Sequence, residues 1–270
     1  MTKTIQPLDR LKSITAFIPW IIPLLFVLIW IIISETKTVP LYLLPHPLDI
    51  IKAGYLYILG KPGDMPYSGR FFQDALSSIN RVFLGFSLAA ALGIPLGIVS
   101  GRVKFIQKLL STSINGLRAV PGISWLPLAL VWFGIGMKTT VFLIAFASFF
   151  PIYLNAATGS RQVDPLLLQA GAMMGINRIR GTFHILIPAA MPHLVTGLRL
   201  GLGISWAYLV LGELTGVPNG LGAVIMDARM LGRIDIIIVG IIIIAIMGRL
   251  SDQLLNILLK LCFKSARRMM

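Results

Sequence analysis

Charged residues and cysteine are both scarce in this chain of 270 residues. Asp, Glu, Lys and Arg make up 13% of the sequence, whereas hydrophobic residues make up 56%. A composition this apolar excludes an ordinary soluble domain and predicts an integral membrane protein. The one cysteine, Cys262, has no partner, which excludes an internal disulfide framework and a cysteine-rich metal site.

Catalytic motifs are missing as well. The sequence has no GxxxxGK[ST] phosphate loop, no HExxH helix and no GxSxG turn. The three histidines, His46, His184 and His193, lack the spacing of a metal site, and His184 is interpreted as a polar residue of a cytoplasmic loop. We therefore expect no catalytic residue, no metal and no cofactor in this chain, and no ATP hydrolysis by the usual loop.

Six apolar stretches predict an all-α protein with six transmembrane helices. A bilayer requires roughly 17–25 mostly apolar residues per spanning helix. The stretches are residues 17–33, 82–100, 120–135, 140–158, 194–212 and 234–259.

The net charge of +14 has a topological interpretation. With a cytoplasmic N-terminus, sixteen of the 24 basic residues fall in inside segments, Arg118 among them, and eight fall outside. Cytoplasmic segments of membrane proteins carry an excess of Lys and Arg. The pattern predicts that both termini are cytoplasmic, and it explains the charge without a nucleic-acid partner.

The chain is interpreted as a single transmembrane domain of residues 1–270. Residues 1–80 form an N-terminal anchor helix, without a cleavage pattern after it, and a periplasmic loop with a short helix after Pro47. Residues 81–260 form a core of five helices, and residues 159–193 form a cytoplasmic loop.

Small residues recur at a spacing of four in two spans: Gly93 and Gly97, then Gly197, Gly201 and Ser205. Small side chains let helix backbones approach closely in lipid. Packing within the chain is the favoured interpretation, and a face shared with a second copy is the alternative.

Pro121 and Pro127 interrupt the third span, which is typical of helices that line a transport path. Trp125, Trp206 and Glu213 are the candidate path residues. Trp125 could instead anchor at the membrane interface. Glu213 could face a cavity, pair with a basic group or reach the outer interface, and the last is favoured.

The cytoplasmic loop predicts two short helices that meet at a glycine. Asp164 is a suitable N-cap for a helix that includes residues 166–170, and Gly175 can end that helix in the left-handed conformation. Asn177 can cap a second helix that runs toward Pro188. The apolar surface of the first helix fits a hydrophobic groove on another protein.

These residues resemble the "EAA" loop of ABC importer permeases, whose pattern is E-A-A, three residues, G, nine residues, I-x-L-P. The matching residues are Gln169, Ala170, Gly171, Gly175, Ile185 and Pro188. Gln169 replaces the family's glutamate, which removes any salt bridge made from that position. Residues 118–136, 149–164 and 212–229 are similar to permeases of the aliphatic sulfonate, taurine and nitrate group, and most of all to the sulfonate permease.

The resemblance implies the type I importer (MetI-like) fold and the inner membrane of a bacterium. It also implies a homodimer, two cytoplasmic ATPases that bind ATP and Mg²⁺, and a periplasmic or lipid-anchored binding protein. The coupling loop would comprise Asp164, Gln169, Ala170, Gly171, Gly175, Ile185 and Pro188.

Three other functions remain as alternatives. The substrate could be an uncharged or heterocyclic nutrient, such as a vitamin precursor. A secondary transporter would need ionisable residues in its spans, of which the sequence offers few. A channel would need a pore-lining ring, which the sequence does not show.

Overall fold

The computed structural model describes residues 7–262 except Lys37, Leu41, Tyr42, Pro62 and Met65, with side chains from residue 21 to residue 261. These residues are mostly α-helical and contain no β-strand. The helices are α1 (Pro7–Glu35), α2 (Pro47–Leu59), α3 (Phe71–Arg102), α4 (Lys104–Ala119), α5 (Leu126–Phe133), α6 (Met137–Gln162), α7 (Pro165–Met173), α8 (Arg178–Gly181), α9 (Ile187–Glu213), α10 (Leu221–Met230) and α11 (Ile234–Cys262). A 3₁₀ turn (Gly122–Trp125) precedes α5, and a π-helical turn (Thr182–Leu186) joins α8 to α9.

Four long helices of the described chain are apolar enough to cross a membrane: α3, α6, the continuous α8–α9 and α11. The prediction of an all-α membrane protein is confirmed, and the helix predicted after Pro47 is α2. The described side chains of α1 form a shorter apolar segment, Ile21–Glu35. The count of six spans and the side of the termini stay predictions, as does the division at residue 80, which α3 crosses.

The third predicted span, residues 120–135, is not a single helix. Helix α4 ends at Ala119, and Val120 is extended because the proline that follows it disfavours helical backbone. The chain then bends by 89° between α4 and Gly122–Phe133, so these two pieces together can make a fifth, broken span. The predicted break at Pro121 is therefore confirmed, whereas Pro127 does not break a helix and lies in the first turn of α5.

Helix α4 was missed because its composition is not that of a membrane span. It carries Lys104, Lys108 and Arg118 among its apolar residues, so the sequence suggests a cytoplasmic connection. An amphipathic helix has a low average hydropathy even when one of its faces is strongly apolar.

Helix α6 lies at the centre of the core and packs along α3 on one side and α9 on the other. The α3 contact runs through small residues: a Cβ at Gly97 would lie 2.6 Å from both Ala156 Cβ and Tyr153 O of α6. On α9, a Cβ at Gly201 would lie 2.8 Å from Ile152 Cγ1. The spacing of small residues is thus explained by packing within the chain.

Hydroxyl groups add to the contact between α6 and α9. Ser148 and Ser205 share a buried hydrogen bond of 2.8 Å, and Ser205 also donates to Gly201 O. Such bonds hold helices together in lipid because an unpaired polar group is costly there.

Gly97→Ala is expected to destabilise the chain by about 1–3 kcal/mol, because the added methyl overpacks the contact between α3 and α6. The matched control is Gly116→Ala on α4, where no atom lies within 4 Å of the new Cβ. The control should be neutral or stabilising by up to about 1 kcal/mol, from helix propensity alone. Thermal unfolding of both variants in detergent tests this, and equal melting temperatures would contradict the close packing.

Candidate functional site

The loop between α6 and α9 is capped as its sequence predicts. The carboxylate of Asp164 accepts a hydrogen bond of 2.8 Å from Leu166 N, and Pro165 occupies the first turn of α7. Asn177 Oδ1 accepts a bond of 2.8 Å from Arg180 N at the start of α8. Each side chain satisfies a backbone N–H that the helix itself leaves free.

Helix α7 ends in a Schellman motif centred on Gly175. This glycine has a φ of 78°, in the left-handed region that costs other residues energy. Ile176 N donates to Gly171 O and Gly175 N donates to Ala172 O, both at 3.0 Å. The predicted role of Gly175 in ending the first helix is confirmed.

Gly171 is buried because Ile185 lies directly over it. A Cβ at position 171 would overlap Ile185 Cδ1 and would lie 3.8 Å from Ile176 Cδ1. The absence of a side chain at Gly171 therefore lets the two arms of the loop close on each other. Two residues of the predicted coupling loop, Gly171 and Ile185, are brought into contact in this way.

The second arm differs from its prediction, because it does not stop near Pro188. Helix α8 continues through the π-helical turn into α9, where Pro188 lies in the first turn. Ile187 N donates to Thr182 O across the π-helical turn, and the Thr182 hydroxyl donates to Arg178 O at 3.0 Å. Arg178 and Glu213 are thus the two ends of one helix of 36 residues.

The loop is anchored on one side and exposed on the other. Val163 and Leu186 are buried in one cluster with Ile98 and Ala190, and Leu168 packs against it. Gln169 and Ala170 are exposed. The exposed large apolar side chains of the loop are Leu166, Leu167, Met173, Met174, Ile179 and Phe183, and Met173 is 90% exposed. Several large apolar side chains exposed in one loop are typical of an interaction site.

At the other end of α9, Glu213 is fully buried. Its Oε1 accepts hydrogen bonds from Ser78 Oγ at 2.7 Å and from Arg81 Nη1 at 2.5 Å, and its Oε2 accepts one from Gly222 N at 2.8 Å. The expectation that Glu213 reaches the outer interface is wrong. The carboxylate pairs instead with a basic group, because burial of an isolated charge would be prohibitive.

A second carboxylate, that of Asp74, extends this network. Asp74 Oδ1 accepts a bond of 3.0 Å from Gly220 N, and Oδ2 accepts one of 3.1 Å from the Tyr57 hydroxyl. Burial, followed by the charge of Asp74, raises the pKa of Tyr57, so the phenol stays protonated and can donate. Ser78 Oγ accepts from Leu221 N at 2.9 Å.

These contacts fix the first turn of α10. Its leading N–H groups, those of Gly220, Leu221 and Gly222, bond to side chains of α3 and α9 in place of a local cap. A Cβ at Gly220 would lie 2.5 Å from Glu213 Oε1, so the approach requires glycine there. The network joins α3, α9 and α10 at one end of the bundle.

The three candidate path residues do not lie together. Trp206 is buried and donates from Nε1 to Ser251 Oγ of α11 at 2.8 Å. The Trp125 ring lies 4.8 Å from that of Phe146 in α6, and among the described residues its buried Nε1 has no acceptor. Their role in a path, like that of Glu213, stays a prediction.

Sequence reasoning missed the α3 half of the buried network. Asp74, Ser78 and Arg81 are spaced by four and three residues, which places them on one helix face, and this spacing is the signal that could have identified them. Glu213, the partner of Ser78 and Arg81, is more than 130 positions away in the chain, so local patterns could not identify it. The described residues hold no group of three or more His, Cys, Asp or Glu that could bind a metal ion.

Glu213→Ala is expected to destabilise the chain by about 3–5 kcal/mol, because it leaves Arg81 buried without a counter-ion. Asp235→Ala is the matched control, since its pair with Arg233 is partly exposed and should contribute about 1 kcal/mol or less. The two variants are compared by their unfolding midpoints in detergent. A similar small loss in both variants would show that the buried pair does not stabilise the fold.

Comparison with known proteins agrees with this geometry. Residues 93–263 match the family of the binding-protein-dependent transport system inner membrane component. The putative aliphatic sulfonates transport permease protein SsuC of Bacillus subtilis is 35% identical, over 88% of this chain and 83% of its own length. The taurine transport system permease protein TauC of Escherichia coli is 32% identical over 83% and 80%. The nitrate import permease protein NrtB of Synechocystis is 33% identical over 80% and 78%.

The fold is that of a solved importer. An inward-facing structure of the MetNI methionine ABC transporter superposes with a TM-score of 0.56 and 16% identity, over 69% of this chain and 94% of that one. The capped loop, the apolar spans and these relatives lead to one assignment: the chain belongs to the family of binding-protein-dependent transport system inner membrane components, the multi-pass permeases of ABC importers.

Proposed function

We propose that this chain is the permease subunit of an ATP-driven importer that carries an aliphatic sulfonate across the cytoplasmic membrane. The observation that carries the proposal is the α7–Gly175–α8 loop, which is held rigidly by its caps yet presents an apolar outer surface. Sulfonate comes first among the anions because the relative described above as 35% identical is a putative sulfonate permease.

The loop would dock α7 in a groove of a cytoplasmic ATPase, which binds ATP and Mg²⁺. Met173 and Leu166 are exposed on α7 and would enter an apolar groove. Gln169 is exposed and uncharged, so the contact at this position would be a polar one without an ion pair. A second copy of the chain, a second ATPase and a periplasmic or lipid-anchored binding protein would complete the importer.

The link from the loop to the spans is covalent and continuous. Helix α8 runs through the π-helical turn into α9, and α9 packs on α6 along its length. A displacement of the docked loop would therefore move α9 and α6 as packed bodies, because close-packed interfaces do not deform smoothly. ATP binding and the loaded binding protein would each bias the same two-state equilibrium.

Co-purification of the chain with its ATPase tests the proposal. Met173→Asp is expected to abolish ATPase binding, because it places a charge in the apolar groove. Met230→Asp on α10 is the matched control, since Met230 is also largely exposed but lies beyond the other end of α9. The control complex should hydrolyse ATP faster with an alkanesulfonate-loaded binding protein. Retention of the ATPase by Met173→Asp would contradict the docking role of α7.

Stimulation by taurine or nitrate instead of an alkanesulfonate would reassign the substrate. Stimulation by an uncharged or heterocyclic nutrient alone would contradict the anion proposal.

Gly175→Val is expected to uncouple transport from ATP hydrolysis. The left-handed conformation at position 175 costs an L-residue about 1–2 kcal/mol, and β-branching adds to that cost. The turn that ends α7 would therefore be distorted, and α7 would lose its fixed position relative to α8. Gly116→Val, in the ordinary helical conformation of α4 and with no atom within 4 Å of the new Cβ, is the control and should transport normally. Uptake per ATP hydrolysed, measured in proteoliposomes, separates the two. Wild-type coupling in Gly175→Val would refute the role of the turn.

A further inference from the structure

A cavity of about 340 Å³ lies between the end of α4, the middle of α6 and the outer half of α9. Its apolar wall includes Phe146, Phe150, Leu154 and Ile204. Two polar side chains also line it, those of Arg118 and Tyr208. No carboxylate lines the cavity, which is formed by described residues only.

The cavity lies beside the middle of α6, a helix that is long and apolar enough to cross a membrane. Residues 146–154 are in the middle of α6, about 12 Å from either end of that helix at about 1.5 Å per residue. Arg118 is in the last turn of α4 and lines this cavity, and its side chain is exposed in the single chain. Ile114 of the same helix packs against Phe150 and Tyr153 of α6. The assignment of Arg118 to a cytoplasmic segment stays a prediction.

Arg118 has no ion-pair or hydrogen-bond partner among the described residues, and the same holds for the Tyr208 hydroxyl. By contrast, Arg81 on α3, which is buried, and Arg199 on α9, which is partly exposed, each pair with a carboxylate. Hydrocarbon cannot solvate a guanidinium charge, so we expect Arg118 to face water or protein and not lipid.

The chain around the cavity points to the same environment. The 89° bend after Ala119 frees backbone groups, and a membrane tolerates these only where protein or water covers them. The ring of Tyr208 lies directly over Gly122, where a Cβ would overlap the hydroxyl, so the glycine lets the phenol reach this position. Trp125, a candidate path residue, contacts the wall residue Phe146.

The chemistry of the cavity selects one kind of ligand. A guanidinium and a phenol both donate hydrogen bonds to an anionic group, and bonds between charged partners are stronger than those between neutral ones. The aromatic and aliphatic wall then favours an apolar tail on that anion. Nitrate has no tail, and the ammonium group of taurine would be desolvated against the apolar wall in the presence of Arg118.

We propose that Arg118 and Tyr208 bind the head group of an alkanesulfonate in the translocation path, with its alkyl chain against Phe146, Phe150, Leu154 and Ile204. This site rests on the proposed function for its place in a path. With this site, the permease itself discriminates among anions by the length of their apolar tail, in addition to any selection by a binding protein. Each methylene that is buried raises affinity by up to about fourfold.

The first test is equilibrium binding of hexanesulfonate, ethanesulfonate, taurine and nitrate to the full chain in nanodiscs, by calorimetry. We expect hexanesulfonate to bind more tightly than ethanesulfonate, and both more tightly than taurine or nitrate. Arg118→Gln is expected to weaken hexanesulfonate binding by about 10- to 100-fold, the usual loss for a hydrogen bond to a charged group. Tyr208→Phe should weaken it less, and Arg118→Lys should restore part of the loss because it keeps the charge.

The matched control is Lys108→Gln, which removes the same charge from the same helix at an exposed position away from the cavity. Unchanged hexanesulfonate binding in Lys108→Gln and a loss in Arg118→Gln, with equal melting temperatures, would support the site. Equal binding in Arg118→Gln and wild type, or equal affinity for all four anions, would overturn it.

Uptake by the assembled importer gives a second test, with one further variant. Leu154→Ala shortens a side chain of the wall and so enlarges the cavity, which is expected to shift uptake toward longer alkanesulfonates. An unchanged dependence of uptake on chain length would contradict the binding of the alkyl chain at this wall. Failure of the ATPase to co-purify would contradict the proposed function separately, because calorimetry on the chain alone needs no ATPase.

Discussion

The packing of α6 between two helices that carry small residues is the constraint on which the rest of the structure depends. Gly97 of α3 and Gly201 of α9 let both backbones approach α6 closely. In lipid the hydrophobic effect does not hold helices together, so such contacts and interhelical hydrogen bonds must do so. The loop, the buried network and the cavity all lie on helices whose relative positions this packing sets.

The two ends of α9 make different kinds of contact. At one end Glu213 is locked to Arg81 and to the first turn of α10, which holds α3, α9 and α10 together. At the other end α9 continues into the loop, whose outer surface is exposed and apolar. Helix α9 is thus fixed at one end and exposed to a partner at the other, so it can transmit a movement of the loop while its packing in the core is kept.

Sequence reasoning succeeded where the interactions are local. Asp164, Asn177 and Gly175 act on backbone groups within a few residues of themselves, so their roles could be predicted from the chain alone. It failed for Glu213, whose partners on α3 are distant in sequence.

Helix α4 was missed because it is amphipathic and so does not resemble a span. The length of α8–α9 was missed because the π-helical turn accommodates Pro188 without ending the helix. In both cases tertiary packing, which the sequence pattern does not encode directly, decided the outcome.

The central claim is that the loop and α9 move as one body when ATP binds. Spin labels at exposed positions 172 on α7 and 200 on α9, in a chain whose one cysteine is replaced by Cys262→Ser, would measure it by pulsed electron resonance in the complete importer. The account predicts that the distance between labels within one copy stays constant, while the distance between loops of the two copies changes. A change of the distance within one copy would mean that the loop hinges independently of α9, and it would contradict the account.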